Sequence, residues 1–172
     1  MHSHLRVGHT HRLRYVVPPD KLVPHLLPEL PEFAGGQPVL ATGFMVGLLE
    51  APCMAALAGV LDQGETTVGT RVDIVHVAAT LPEAVLAVDA VVSRVRRRYY
   101  EFDVVAVDEL GTVAARGTIG QRVVTVAQFQ ALWPHQHPET GPAEVITSEL
   151  PTRPARPAPA NLPPRKKVTH HQ

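Results

Sequence analysis

The chain has a single cysteine in 172 residues, no excess of charge of either sign, and no apolar leader at its start. Each absence removes a class of function. Cys53 alone forms no intrachain disulfide and excludes a cysteine-based zinc site. Sixteen Lys and Arg balance sixteen Asp and Glu, a formal net charge of zero. No global field therefore draws the chain to nucleic acid or to an anionic membrane. Met1-His2-Ser3-His4-Leu5-Arg6 contains no signal-peptide core, so a cytoplasmic location is the expectation. Charged residues make up 19%, on the low side, while a hydrophobic content of 45% is ordinary for a globular protein. The length fits one domain with an extension.

What is present divides into a domain over 1–134 and a tail over 135–172. Nine of the 17 prolines lie from Pro134 onward, and Pro154-Ala155-Arg156-Pro157-Ala158-Pro159-Ala160 is of low complexity. Such a segment buries too little apolar surface to offset its ordering entropy, so disorder is expected there. Arg165-Lys166-Lys167 reads as a solvated basic run in that tail rather than a nucleic-acid site.

Within the domain, a strand ends in Leu13-Arg14-Tyr15-Val16-Val17 and is stopped by Pro18-Pro19. Pro24, Pro28 and Pro31 break 18–40 into turns and a loop. Thr42 is a candidate N-cap for a helix over 43–61. Pro52 lies inside that helix and is expected to kink it, at a cost of about 3 kcal/mol. Four strands follow, over 66–80, 84–94, 99–107 and 113–126, with Glu109-Leu110-Gly111-Thr112 as a hairpin turn. A short helix over 126–133 stops at Pro134. A single helix apolar on nearly every face has to be covered by sheet. The order therefore predicts an α+β fold, one curved antiparallel sheet wrapped around one long helix.

The chemistry concentrates in Ala41-Thr42-Gly43-Phe44-Met45-Val46-Gly47-Leu48-Leu49-Glu50, which is apolar apart from Thr42 and Glu50. The segment from Gly43 to Leu61 is long enough to suggest a membrane span, but a carboxylate at mid-bilayer costs roughly 2.5–3.5 kcal/mol and no basic cluster flanks it. A buried core helix is the reading, with no membrane partner. His76 shares a strand face with Val72, Ile74 and Ala78, expected to point at the helix. Thr42 and Glu50 lie about 12 Å apart along a helix axis and cannot bond each other directly. They can flank a substrate, with His76 between or beside them. The Thr42 hydroxyl is a potential nucleophile, and the free N–H groups near Gly43 and Phe44 can hold an oxygen that gains charge. His76 can serve as general base. Three roles are open to Glu50: orienting the imidazole, activating water, or attacking a carbonyl. Each residue also has a plain structural role: a cap, a carboxylate paired with a buried arginine, a satisfied core histidine. Cys53 reads as a small buried hydrophobe, and His2/His4 with His9/His11 as a terminus without a metal site.

Several stretches together resemble the fluoroacetyl-CoA thioesterase family. They are Val16-Val17-Pro18-Pro19, Pro31-Glu32-Phe33-Ala34, the run from Ala41 to Glu50, Val68-Gly69-Thr70, and His76-Val77-Ala78-Ala79-Thr80. The likeness covers about 5–133. It implies a hotdog fold and hydrolysis of small acyl-CoA thioesters by a Thr/Glu/His set, matched here by Thr42, Glu50 and His76. It also implies a substrate-proximal Arg122, a close-approach Gly69 and a hydrophobic lid containing Phe33. No cofactor beyond the CoA of the substrate is implied, and a homodimer is. Gly35-Gly36 stand where fluoroacetyl-specific relatives carry a second aromatic, which suggests a more open lid. Arg94, Arg96, Arg97 and Arg98 either form a solvated hairpin or meet the phosphates of CoA. Two other readings are a hotdog enoyl-CoA hydratase or dehydratase, for which no His/Asp motif is present, and a non-catalytic acyl-CoA binder.

Overall fold

Five antiparallel strands and one long helix carry the structure, a computed structural model that describes residues 5–131. All of these residues belong to one compact unit, Met1–Gln136. The expected tail at 135–172, its basic run, the 134/135 boundary and the His2/His4 pair lie outside the described residues.

Strand β1 (Thr10–Val16) leads through short 3-10 turns at Pro19–Lys21 and Val23–His25 to a four-residue helix α1 (Pro31–Ala34). Helix α2 (Thr42–Ala58) follows. Strands β2 (Glu65–His76), β3 (Val85–Arg96), β4 (Tyr99–Asp108) and β5 (Val113–Thr125) then run in succession, and α3 (Val126–Gln130) comes last. The sheet order is β1-β3-β4-β5-β2, and every neighbouring pair is antiparallel. The turn after β4 is fixed by Asp108 Oδ1, which accepts from the backbone N–H of Leu110 and Thr112, with Gly111 at φ 83°.

Helix α2 departs from the sequence reading at both ends. Its N-cap is Ala41, in extended backbone with no side-chain bond, and Thr42 is its first helical residue. The Thr42 hydroxyl is engaged across the sheet instead. The helix stops at Ala58, not 61, because Gly59 caps it and Val60 N–H turns back to Leu57. Pro52 sits inside a continuous helical span and is buried. Its missing N–H removes the donor that the Leu48 carbonyl would otherwise take.

The helix touches all five strands. Met45, Leu48, Leu49, Pro52, Cys53, Ala56 and Leu57, at three- and four-residue spacing, form its buried stripe. They meet Leu86, Val88, Val92, Phe102, Ala106 and Ile119 of the sheet, all fully buried. The sheet covers that face only. Gly43, Gly47 and Met54 on the opposite face are exposed in the single chain, Met54 at 48%. The expected sheath around every side of the helix is thus a layer on one side.

Strand β2 forms one edge of the sheet. Its register with β5 passes from Gly69↔Gln121 to Arg71↔Gly120, leaving Thr70 as an extra residue. Such a bulge shifts the inward and outward alternation by one. Thr67 and Gly69 before it, and Val72, Ile74 and His76 after it, therefore share the face toward α2.

Farther along, β2 and β5 lie so close that a Cβ on Gly117 would fall on the Asp73 carbonyl oxygen and within 2.8 Å of Ile74 Cα. Both obstacles are backbone and cannot rotate away. Gly117→Ala is expected to push β2 outward and to cost about 1–3 kcal/mol, as overpacked cores do. A thermal melt reads this as a lowered Tm, and an unchanged Tm would show that the two strands separate freely.

Candidate active site

Two pairs of polar side chains lie at the junction of α2 with the sheet. The first joins the start of the helix to the end of β2. Thr42 Oγ1 and His76 Nδ1 are 3.0 Å apart. His76 is half-buried at the last position of β2, opposite Ala115. With the imidazole proton on Nε2, Nδ1 accepts the hydroxyl hydrogen of Thr42, which is the arrangement a general base needs. Nε2 is buried and has no hydrogen-bond partner among the described residues. The N–H groups of the first helical turn, at Gly43 and Phe44, have no partners one turn back and sit beside this pair.

The second pair lies two turns along. Glu50 Oε1 accepts a hydrogen bond of 2.5 Å from Gln121 Nε2. Gln121 is 1% exposed, and its own Oε1 is buried without a partner among the described residues. Gly69 faces the same spot: a Cβ there would come within 2.5 Å of Glu50 Oε1. The glycine is thus a close-approach position, because the Glu50 carboxylate occupies the space of its missing side chain. Among the described residues no hydrogen bond joins Glu50 to Thr42 or His76. Along α2 the two pairs stay separated by the roughly 12 Å that the helical rise dictates.

The remaining predicted residues fall in different places. Gly43 is exposed beside Thr42, and Leu26 covers it closely enough that a Cβ would meet Leu26 Cδ2 at 2.9 Å. Phe33 is half-buried on α1. The backbone at Gly36 is not open space, because a Cβ there would run into the Val23 side chain. Val23 thus lies against Gly36, while Gly35 is exposed. Arg122 is not brought to the site. It is exposed on the sheet face away from α2, with its guanidinium 5.9 Å from the Tyr99 ring centre. The residue that reaches Glu50 is its neighbour Gln121, which sequence reasoning missed. The signal was the alternation Ile119, Gln121, Val123, which places the amide on the apolar face of β5.

The arginine-rich hairpin is partly committed. Arg98 donates to Glu65 at 2.7 Å and to the Val123 carbonyl at 3.1 Å, and Arg94 Nε lies 3.9 Å from Glu101. A cleft of about 240 Å³ on the other flank of α2, lined by Leu13, Tyr15, Lys21, Leu40, Phe44 and Gly47 among others, contains none of Thr42, Glu50 and His76. Among the described residues no group of three or more His, Cys, Asp or Glu side chains is placed to hold a metal. No helix among them is long and apolar enough to cross a membrane.

Comparison with known proteins bears on what this geometry does. Residues 29–127 match the family model of fluoroacetyl-CoA-specific thioesterases. A fluoroacetyl-CoA thioesterase of Streptantibioticus cattleyicolor is 42% identical over 134 residues, spanning 76% of this chain and 94% of its own length. A solved structure of a fluoroacetyl-CoA thioesterase, a threonine-to-alanine variant in complex with fluoroacetate, superposes with a TM-score of 0.74. It is 39% identical and covers 78% of this chain and 100% of its own. A thioesterase-superfamily protein of Thermus thermophilus, 26% identical, superposes with a TM-score of 0.68 over 76% of this chain and 91% of its own. These relatives fix the α+β arrangement as a hotdog fold.

One group near the site is inert. Cys53 is fully buried one turn beyond Glu50, and its thiol is pushed up to about 12, first by burial and then by the charge of Glu50. Ellman's reagent at pH 8 should therefore find no thiol in the folded protein and one per chain in denaturant. Immediate colour from native protein would show that Cys53 is reachable.

Proposed function

The chain belongs to the fluoroacetyl-CoA-specific thioesterase family and is an acyl-CoA thioesterase, and from that premise we propose that Thr42, His76 and Glu50 carry the hydrolysis of a small acyl-CoA thioester. The Thr42–His76 hydrogen bond is the observation that carries this reading. The pair delivers a nucleophilic oxygen to the thioester carbonyl, with His76 accepting its proton. The N–H groups at Gly43 and Phe44 stabilise the charge that develops on the carbonyl oxygen. The Thr42 oxygen bonds to the acyl carbon, the C–S bond breaks, and CoA leaves as the thiol with the proton that His76 took. Water then attacks the acyl–Thr42 ester and supplies the oxygen of the free acid; the bond to Thr42 breaks and a proton returns to its hydroxyl. Glu50 accepts the proton of that water. Phe33, on the segment that packs on Gly43 through Leu26, bounds the acyl group; Gly69 gives the Glu50 carboxylate its room. Arg122 is left out of the substrate site, since it lies on the far face of the sheet. No resident cofactor enters these steps.

We also propose a homodimer, with the site divided between its two chains. Edge strand β2 exposes unpaired backbone together with Val72 and Val75, each about half exposed, and such edges favour association. Antiparallel pairing of β2 with its own copy, about an axis at Asp73 and with the Thr70 bulge taking up one residue on each strand, sets Gly69 of one strand opposite His76 of the other. Both residues face the helices, so the pairing brings Glu50 of one copy toward the Thr42–His76 pair of the other. This supplies the contact that α2 prevents within one chain. The single buried cysteine suits a reducing compartment, which supports a cytoplasmic enzyme.

Free-thiol release from acetyl-, fluoroacetyl-, propionyl- and butyryl-CoA tests the reaction. Thr42→Ala, His76→Ala and Glu50→Gln should each lower kcat by about 10²–10⁴-fold while the protein stays folded. Wild-type rates in all three would sink the assignment. Subunit mixing tests the division of the site. His76→Ala and Glu50→Gln chains, unfolded and refolded together, should regain about a quarter of wild-type activity, because half the dimers are mixed and each holds one intact site. No recovery in proven mixed dimers would place the site within one chain.

A further inference from the structure

We propose that Gln121 is the positioning residue for Glu50, holding the carboxylate by a neutral amide in the orientation in which it accepts a proton. The proposal rests on the reading of Glu50 as a working carboxylate. Gln121 stands on the helix-facing side of β5 between Ile119 and Val123, where an apolar residue is the ordinary choice. It is 1% exposed. Burying an amide costs about 1–3 kcal/mol by protein mutational data unless it finds a partner. Only half of this amide has found one. Nε2 donates to Glu50 at 2.5 Å, whereas Oε1 is buried with no partner among the described residues. A purely structural glutamine would be expected to satisfy both ends.

The surroundings agree with a carboxylate that is held but not neutralised. Three elements converge on it: α2 supplies Glu50, β5 supplies the donor, and β2 supplies the space. A Cβ on Gly69 would lie 2.5 Å from Glu50 Oε1 and 3.6 Å from Gln121 Nε2. Among the described residues no Arg or Lys forms an ion pair with Glu50. The adjacent cation, Arg122, is turned to the opposite face of the sheet. An amide donor directs a carboxylate through one charge-assisted hydrogen bond while adding no positive charge beside it.

A double-mutant cycle on the full chain tests the proposal, with Gln121→Met as the unbranched replacement and Gln121→Leu as a second form should the first fold poorly. Gln121→Met is expected to lower kcat about 10- to 100-fold, with KM and Tm near wild type. Combined with Glu50→Gln it should lower kcat no further than Glu50→Gln alone, because the amide acts through the carboxylate. Wild-type kcat in Gln121→Met beside an impaired Glu50→Gln overturns the role of Gln121 and leaves that of Glu50 standing. Losses that multiply in the double variant also overturn it, since the two residues would then act independently. An active Glu50→Gln enzyme overturns both readings.

Discussion

An extra residue in an edge strand sets the phase of the whole site. Gly69 and His76 are seven positions apart, an odd separation, so a regular strand would turn them to opposite faces of the sheet. The bulge at Thr70 brings both to the face under α2. One end of β2 then meets Thr42 at the start of the helix, and the other meets Glu50 two turns later. Remove the extra residue and either the histidine or the glycine turns away from the helix, with every neighbour on its side of the bulge. The Thr70 hydroxyl ties this point to β5 by donating to the Gly120 carbonyl at 3.2 Å. The irregularity is therefore held by a bond of its own.

A carboxylate at the middle of an apolar helix is the second constraint. Burying a charge is tolerated when donors approach it and bulk does not. Here both conditions are met from the sheet, by the amide of Gln121 and by the missing side chain of Gly69. The same charge acts inward on Cys53, one turn on, where it adds to burial in suppressing the thiolate. The helix thus separates two potential nucleophiles by environment: Thr42 exposed beside a base, Cys53 sealed beneath an acid.

Much of the fold was legible because its signals are local. Period-two alternation in β3 and β4, the turn at Asp108–Thr112, and one long apolar segment are enough to give a sheet on a helix. The face His76 shares with Ile74 pointed it at the helix, while its contact with Thr42 was one of several arrangements left open. What escaped depends on phase and on competition between partners. Arg122 was named from the resemblance and Gln121 was given no role; the two differ by one residue, which in a strand is the difference between faces. Thr42 has the composition of a cap, but its backbone is already helical, one residue past the Ala41 cap, and its hydroxyl meets His76 of β2. Gly36 looked like an opening because glycine has no side chain. The volume is filled by Val23, whose approach is a tertiary fact.

The separation between the two polar pairs is the feature that local sequence cannot resolve and one chain cannot remedy. A helix fixes Thr42 and Glu50 about 12 Å apart whatever packs around it. Pro52 frees the Leu48 carbonyl, yet α2 runs unbroken from Thr42 to Ala58, so the span between them stays helical. Any mechanism that joins the histidine to the glutamate must therefore use a substrate that spans the gap or a second copy that closes it. The spanning route leaves the exposed edge of β2 and the bare face of α2 without a purpose. The proposed second copy would occupy the edge of β2 by the symmetry of an antiparallel pair. Because Gly69 and His76 are carried to one face by the same bulge, that pairing brings unlike ends of the site together twice, once at each end of the shared edge.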